Sequence, residues 1–159
     1  MDDSGKPSSF CRLNTGVPQG SVLGPLLFAL YINDVSLCLD LDVSHIIYAD
    51  DLKIYGQCHL KELDSFSSKM KANAERIMGW AVQNRLKLNV MKTKAIVFGS
   101  PFYINRLPDI AKTYIDIGGS RLYFESSVRS LGVVLDSKLI LITIKRKSTY
   151  CKTVNVCTL

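Results

Sequence analysis

Tyr48-Ala49-Asp50-Asp51, set between Ile46-Ile47 and Leu52-Lys53-Ile54-Tyr55, decides how this sequence is read. Two short apolar runs on either side of adjacent carboxylates predict a β-hairpin over residues 44–56 with both acids at its tip. Neighbouring aspartates repel each other, so a fold that presents them together needs a cation, and hard carboxylate oxygens suit Mg²⁺. A magnesium site at a hairpin tip points to phosphoryl transfer. For two aspartates taken alone, the competing reading is a solvated turn.

Upstream lies Thr15-Gly16-Val17-Pro18-Gln19-Gly20-Ser21-Val22-Leu23-Gly24-Pro25-Leu26-Leu27-Phe28, followed by Leu30-Tyr31-Ile32-Asn33-Asp34. The Gly16 to Gly20 stretch is a Pro/Gly loop, and Pro25 sits where the first turn of a helix tolerates proline. Leu26, Leu27, Phe28, Leu30, Tyr31 and Ile32 predict a helix buried on most sides, with Asn33 and Asp34 capping its end.

The cleanest periodicity comes next. Leu63, Phe66, Met70, Ala74, Ile77, Met78, Ala81 and Val82 recur at threes and fours, with Lys61, Glu62, Lys69, Lys71, Glu75 and Arg76 opposite. One amphipathic helix over residues 60–84 is expected, its stripe facing the core; Gly79 inside it costs about 1 kcal/mol relative to alanine. A strand over 94–99, a loop between Pro101 and Pro108, a hairpin of 114–117 and 122–124 around Gly118-Gly119, and a strand over 131–135 follow. Residues 139–144 form a short apolar run before Lys145-Arg146-Lys147, and the last dozen residues show no pattern.

With 159 residues and 47% hydrophobic content, one domain or part of a larger one is expected, and wholesale disorder is excluded. The net charge of +6 is uneven. Residues 1–80 carry 7 Lys/Arg and 10 Asp/Glu, a net of −3, whereas residues 81–159 carry 13 and 4, a net of +9. A basic half beside an acidic site fits a protein that holds phosphates with cations and metal with carboxylates; from charge alone, a solvated basic surface fits equally well. The five cysteines, Cys11, Cys38, Cys58, Cys151 and Cys157, form no Cys-x-x-Cys pair, and reduced thiols in an intracellular protein are expected. The polar start carries no signal peptide and no apolar run spans a bilayer, so neither membrane nor secretory partners are expected, and the location is cytoplasm or nucleus.

Taken in order, these segments resemble the reverse transcriptase domain of non-LTR retrotransposons of the jockey-like or LINE-like kind. Gly16 to Asp34 resembles the family's loop and helix beside the nascent base pair, and Tyr48 to Asp51 its metal-binding hairpin. Trp80-Ala81, Asn84, Leu86, Leu88-Asn89 and Lys92-Thr93-Lys94 resemble the segment after the palm helix, and Leu131-Gly132-Val133-Val134-Leu135-Asp136 the primer-grip region. The resemblance implies an α+β fold, a partial polymerase palm with an antiparallel sheet and packed helices, fingers and thumb largely missing. It implies a palm over 15–138, an extended N-terminal remnant over 1–14 and a divergent tail over 139–159. The implied activity is RNA-directed DNA polymerisation with Mg²⁺, deoxynucleoside triphosphates, an RNA template and a DNA primer.

The same resemblance gives Asp50 a catalytic metal and Asp51 a supporting carboxylate, in a two-metal nucleotidyl transfer. Pro18, Gln19 and Gly20 shape the pocket for the incoming nucleotide, the alternative being a plain turn leading into a helix. Lys92 matches a basic residue near the triphosphate, the alternative being an exposed lysine before a strand. His45 and His59 receive no role. The family's third carboxylate lies on an upstream strand, and Asp2 and Asp3 lack its context. The expectations are therefore that the chain begins after that aspartate and that it does not polymerise alone. A non-catalytic nucleic-acid-binding remnant and a decaying open reading frame are the alternatives.

Overall fold

The structure is a computed structural model, describing residues 20–107, 114–138 and 151–158. The chain divides into two compact units, Met1–Asn33 and Asp34–Leu159. The first contributes helix α1, Gly24–Ile32, with Pro25 in its opening turn. Leu26, Leu27, Leu30 and Tyr31 on α1 are exposed, which corrects the expectation of a helix buried on most sides: apolar residues occupy every side of it, so the sequence had no polar face to mark where solvent lies. The backbone N–H of Asn33 caps the helix by donating to the Leu30 carbonyl.

A 3-10 turn, Asn33–Cys38, begins at the last residue of the first unit, and the second unit holds a mixed six-stranded sheet in the order β1-β2-β8-β3-β5-β4. Its strands are β1 Ser44–Tyr48, β2 Asp51–Cys58, β3 Lys94–Phe98, β4 Tyr114–Ile117, β5 Ser120–Glu125 and β8 Cys151–Thr158. A separate two-stranded hairpin pairs β6, Ser127–Ser130, with β7, Val133–Asp136. All pairings are antiparallel except β3 with β5, which is parallel. The sheet is thus not wholly antiparallel as expected, because β3 and β5 are not consecutive and the β4–β5 hairpin docks by its second strand.

Three further expectations change. The strand expected over 131–135 is a hairpin: Leu131 and Gly132 both have positive φ (48° and 81°) and form its turn, so the returning strand starts at Val133. The 101–108 loop contains a short helix α3, Pro101–Ile104, opened by its proline. The patternless terminus holds β8, which sits inside the sheet between β2 and β3; Val154, Val156 and Thr158 alternate with other residue types there, a period too short to stand out from sequence. The run over 139–144 lies outside the described residues.

Helix α2, Leu63–Gln83, is the amphipathic helix expected, with a 3-10 turn at Leu60–Glu62 leading into it. His59 caps that turn in a reciprocal box with Glu62, its backbone N–H donating to Glu62 Oε2 at 3.3 Å. Met70, Ala74 and Ile77 are fully buried, and α2 packs against β2 and β4. Strand alternation supplies the other half of this core: Leu52 and Ile54 from β2, Ala95 and Val97 from β3, Ile115 and Ile117 from β4, Leu122 and Phe124 from β5. Val82, expected in the stripe, is exposed, while Trp80 and Asn73 are buried. The opposite face of the sheet is covered at one end by the β6–β7 hairpin, where Val128 packs with Ile96 and Phe98 against Leu135.

Candidate functional site

The expected acidic hairpin forms, with Tyr48 opposite Asp51, Ile47 opposite Leu52 and His45 opposite Ile54. That register leaves Ala49 and Asp50 as a two-residue turn. Ala49 adopts φ 51°, a left-handed conformation that costs a non-glycine residue roughly 1–2 kcal/mol. Backbone strain of this kind is held in place by surrounding structure and collects at functional sites. Asp50 is exposed in the turn and Asp51, the first residue of β2, is half-buried. Because Leu52 and Ile54 face α2, alternation turns Asp51, Lys53 and Tyr55 to the other face of the sheet.

The turn that leads into β1 is fixed to α2 by a clamp that the sequence reading missed. Asn73 is fully buried; its Oδ1 accepts the Asp40 backbone N–H at 2.9 Å, and its Nδ2 donates to Asp40 Oδ2 and to the Lys69 carbonyl, each at 2.9 Å. Arg76 pairs with Asp40 at 2.8 Å, and Lys69 pairs with Asp42. Hydrogen bonds from Arg76 and then Asn73 lower the Asp40 pKa, and one from Lys69 lowers that of Asp42. The available signal was Asn73 itself, a polar residue between Met70 and Ile77 on an apolar stripe.

Lys92 is exposed in the turn before β3, where its backbone N–H donates to the Asn89 carbonyl at 3.1 Å. Strand β8 relates it to the acids: Asp51 pairs with Thr158, and Lys94 pairs with Val156 two residues away. Asp51 and the Lys92 turn therefore stand at the same end of the sheet. Gly20 has φ 85° and open space around its Cα, as a loop glycine requires. Pro18 and Gln19 lie outside the described residues. A cleft of about 820 Å³ lined by Ser44, Tyr55, Gly56, Phe66 and Lys69 occupies the other end of the hairpin, away from the acids.

Residues 4–135 match the family model for reverse transcriptase (RNA-dependent DNA polymerase). This chain belongs to the reverse transcriptase family. Among its curated relatives is the RNA-directed DNA polymerase from mobile element jockey of Drosophila funebris, 30% identical over 140 residues, covering 83% of this chain. The protein of the same description from Drosophila melanogaster is 27% identical over 141 residues, covering 85% of this chain. The chain spans 14% of the length of each relative. No solved structure matches it. Among the described residues no helix is long and apolar enough to cross a membrane.

The reverse transcriptase family depends on divalent metal, and Asp50 and Asp51 offer the hard oxygen donors such an ion takes. Among the described residues no group of three His, Cys, Asp or Glu side chains converges to hold a metal.

Proposed function

We propose that the chain is a segment of the polymerase palm of a jockey-like non-LTR retrotransposon reverse transcriptase. Its ancestral role is RNA-directed DNA polymerisation on an RNA template with a DNA primer and deoxynucleoside triphosphates. Asp50 and Asp51 supply two of the carboxylates for Mg²⁺; a third comes from outside the described residues. Pro18, Gln19 and Gly20 shape the nucleotide pocket, and Lys92 meets the triphosphate. Residues 15–138 form the palm segment, preceded by residues 1–14 and joined by strand β8 of the tail at 139–159, which pairs between β2 and β3. The observation that carries this reading is the two-residue turn that presents Asp50 beside Asp51 at one end of a helix-backed sheet, within a chain whose residues 4–135 match the family.

The isolated chain does not extend a primer. An incomplete donor set holds a divalent ion loosely, and each 1.36 kcal/mol of lost stabilisation is tenfold in rate. Primer extension on an RNA template with Mg²⁺ or Mn²⁺, beside an Asp50→Asn control, tests this. The expected result is no product from either protein. Extension that disappears in Asp50→Asn overturns the claim of an incomplete site. A second reading, a nucleic-acid-binding segment without catalysis, is favoured by the +9 net charge after residue 80; it predicts weak, sequence-independent binding that falls steeply with salt.

A further inference from the structure

The face of the sheet away from α2 carries an aromatic and guanidinium cluster with no part in the acidic turn. Tyr114 on β4 and Tyr123 on β5 are directly opposite each other, 43% and 48% exposed, with ring centroids 5.8 Å apart. The Arg121 guanidinium lies 4.8 Å from the Tyr114 ring centroid. A side-chain hydrogen bond with Tyr123 also raises the pKa of Arg121. Both rings are on the side of the hairpin away from α2, because Ile115, Ile117, Leu122 and Phe124 take the other side.

Register ties this cluster to the face that carries Asp51. Phe124 pairs with Ala95, so in the same parallel register Tyr123 is level with Lys94 and Arg121 with Lys92. Through β8, Lys94 is level with Lys53, and the Lys92 turn with Asp51. The β6–β7 hairpin covers the opposite end, over Ile96 and Phe98, whereas Tyr114 and Tyr123 at this end are exposed. Three strand spacings separate Asp51 from Arg121, about 14 Å at roughly 4.8 Å each. Lys53 and Lys94 thus lie between the acids and the two tyrosines along this face.

We propose that Tyr114, Tyr123 and Arg121 form a stacking site for unpaired nucleotides of a single-stranded nucleic acid that crosses this face. The ligand class rests on the proposed polymerase reading, since it continues the path of a strand that reaches the acidic turn. The cluster itself supplies the chemistry. Flat exposed rings and a guanidinium plane stack bases of any sequence. The charges on this face are balanced: Lys94 pairs with Glu125 at 2.5 Å, and Asp116 is opposite Arg121. Stacking, not phosphate attraction, thus carries the affinity, and binding at this site has a shallow dependence on salt.

The test is fluorescence anisotropy of a labelled uridine decamer, its DNA counterpart, and an abasic decamer of equal charge, each with the full chain in EDTA. Leaving out metal and nucleotide separates this test from primer extension. Glu75→Gln, on the exposed side of α2, serves as a control and binds like the unaltered chain; loss of binding in it overturns the assignment to this face. The expected result is that the Tyr114→Leu/Tyr123→Leu protein binds the uridine decamer on the order of tenfold to a hundredfold more weakly. The Tyr114→Phe/Tyr123→Phe protein keeps its affinity within about twofold, since the rings remain, and the abasic decamer binds as weakly as the uridine decamer does to the leucine variant. Comparable affinity for RNA and DNA is expected, and tenfold discrimination overturns stacking as the main contribution. Equal binding by the abasic strand, measured on the unaltered chain and so independent of how any variant folds, overturns the proposal. So does displacement of the decamer by a proline-rich decapeptide, which assigns the surface to a protein partner.

Discussion

Replacing Asn73 by alanine tests whether the acidic hairpin is held in place by α2. Three hydrogen bonds end on this fully buried amide, each 2.9 Å long, and two of them go to Asp40 at the head of the hairpin. A bond of this kind contributes about 1 kcal/mol net, and a buried group left without a partner costs a further 1–3 kcal/mol. Alanine removes both ends of the amide, leaves the Asp40 N–H without its acceptor and opens a small void. The expected loss is about 2–4 kcal/mol, a large part of the roughly 5–15 kcal/mol that stabilises a domain. Trp80 is the sole tryptophan and is 7% exposed on the same helix, so its fluorescence reports urea unfolding directly. Arg76→Ala is the useful comparison. It breaks a half-exposed ion pair with Asp40 and should cost no more than about 1 kcal/mol. A loss below about 0.5 kcal/mol in Asn73→Ala, or one equal to that of Arg76→Ala, refutes the clamp.

Other perturbations follow from the backbone and from charge. Ala49→Gly relieves the positive φ of the acidic turn and should stabilise by about 0.5–1 kcal/mol after the added chain entropy is counted, measured as a rise in the urea midpoint; destabilisation contradicts the turn geometry. Gly118→Ala should lose about 1–2 kcal/mol by the same assay, because φ is 58° and the new Cβ would meet Met78 Sδ at 2.9 Å. Asp40 and Asp42 have folded pKa values below their ordinary 3.8, so the stability they confer is full above that value and is lost as pH falls through the folded values. Urea midpoints measured from above pH 3.8 to well below it should therefore fall less steeply in Asp40→Asn/Asp42→Asn than in the unaltered chain.

Where a local period or a turn signal was strong, the sequence carried the structure. The threes and fours from Leu63 to Ala81 placed α2, Gly118-Gly119 placed the β4–β5 turn, and the runs on either side of Asp50-Asp51 placed the acidic hairpin. Leu131-Gly132 was misread because an apolar residue hid a turn, and its positive φ is visible only in the folded chain. The position of β8 inside the sheet depends on pairing with strands about 60 to 100 residues away, which no local pattern encodes. The candidate site was legible as residue types in order. Its support was not: Asn73 looked like a break in an apolar stripe, and the grouping of Tyr114, Tyr123 and Arg121 depends on cross-strand register.

Asp50 and Asp51 at the hairpin turn are proposed here as metal-binding carboxylates of an incomplete site. Paramagnetic broadening of backbone amide signals by Mn²⁺ measures this directly. The predicted result is broadening centred on Ala49, Asp50 and Asp51, requiring metal on the order of millimolar because two carboxylates leave much of the shell to water, and absent in Asp50→Asn/Asp51→Asn. Broadening centred elsewhere, or unchanged in that variant, contradicts it.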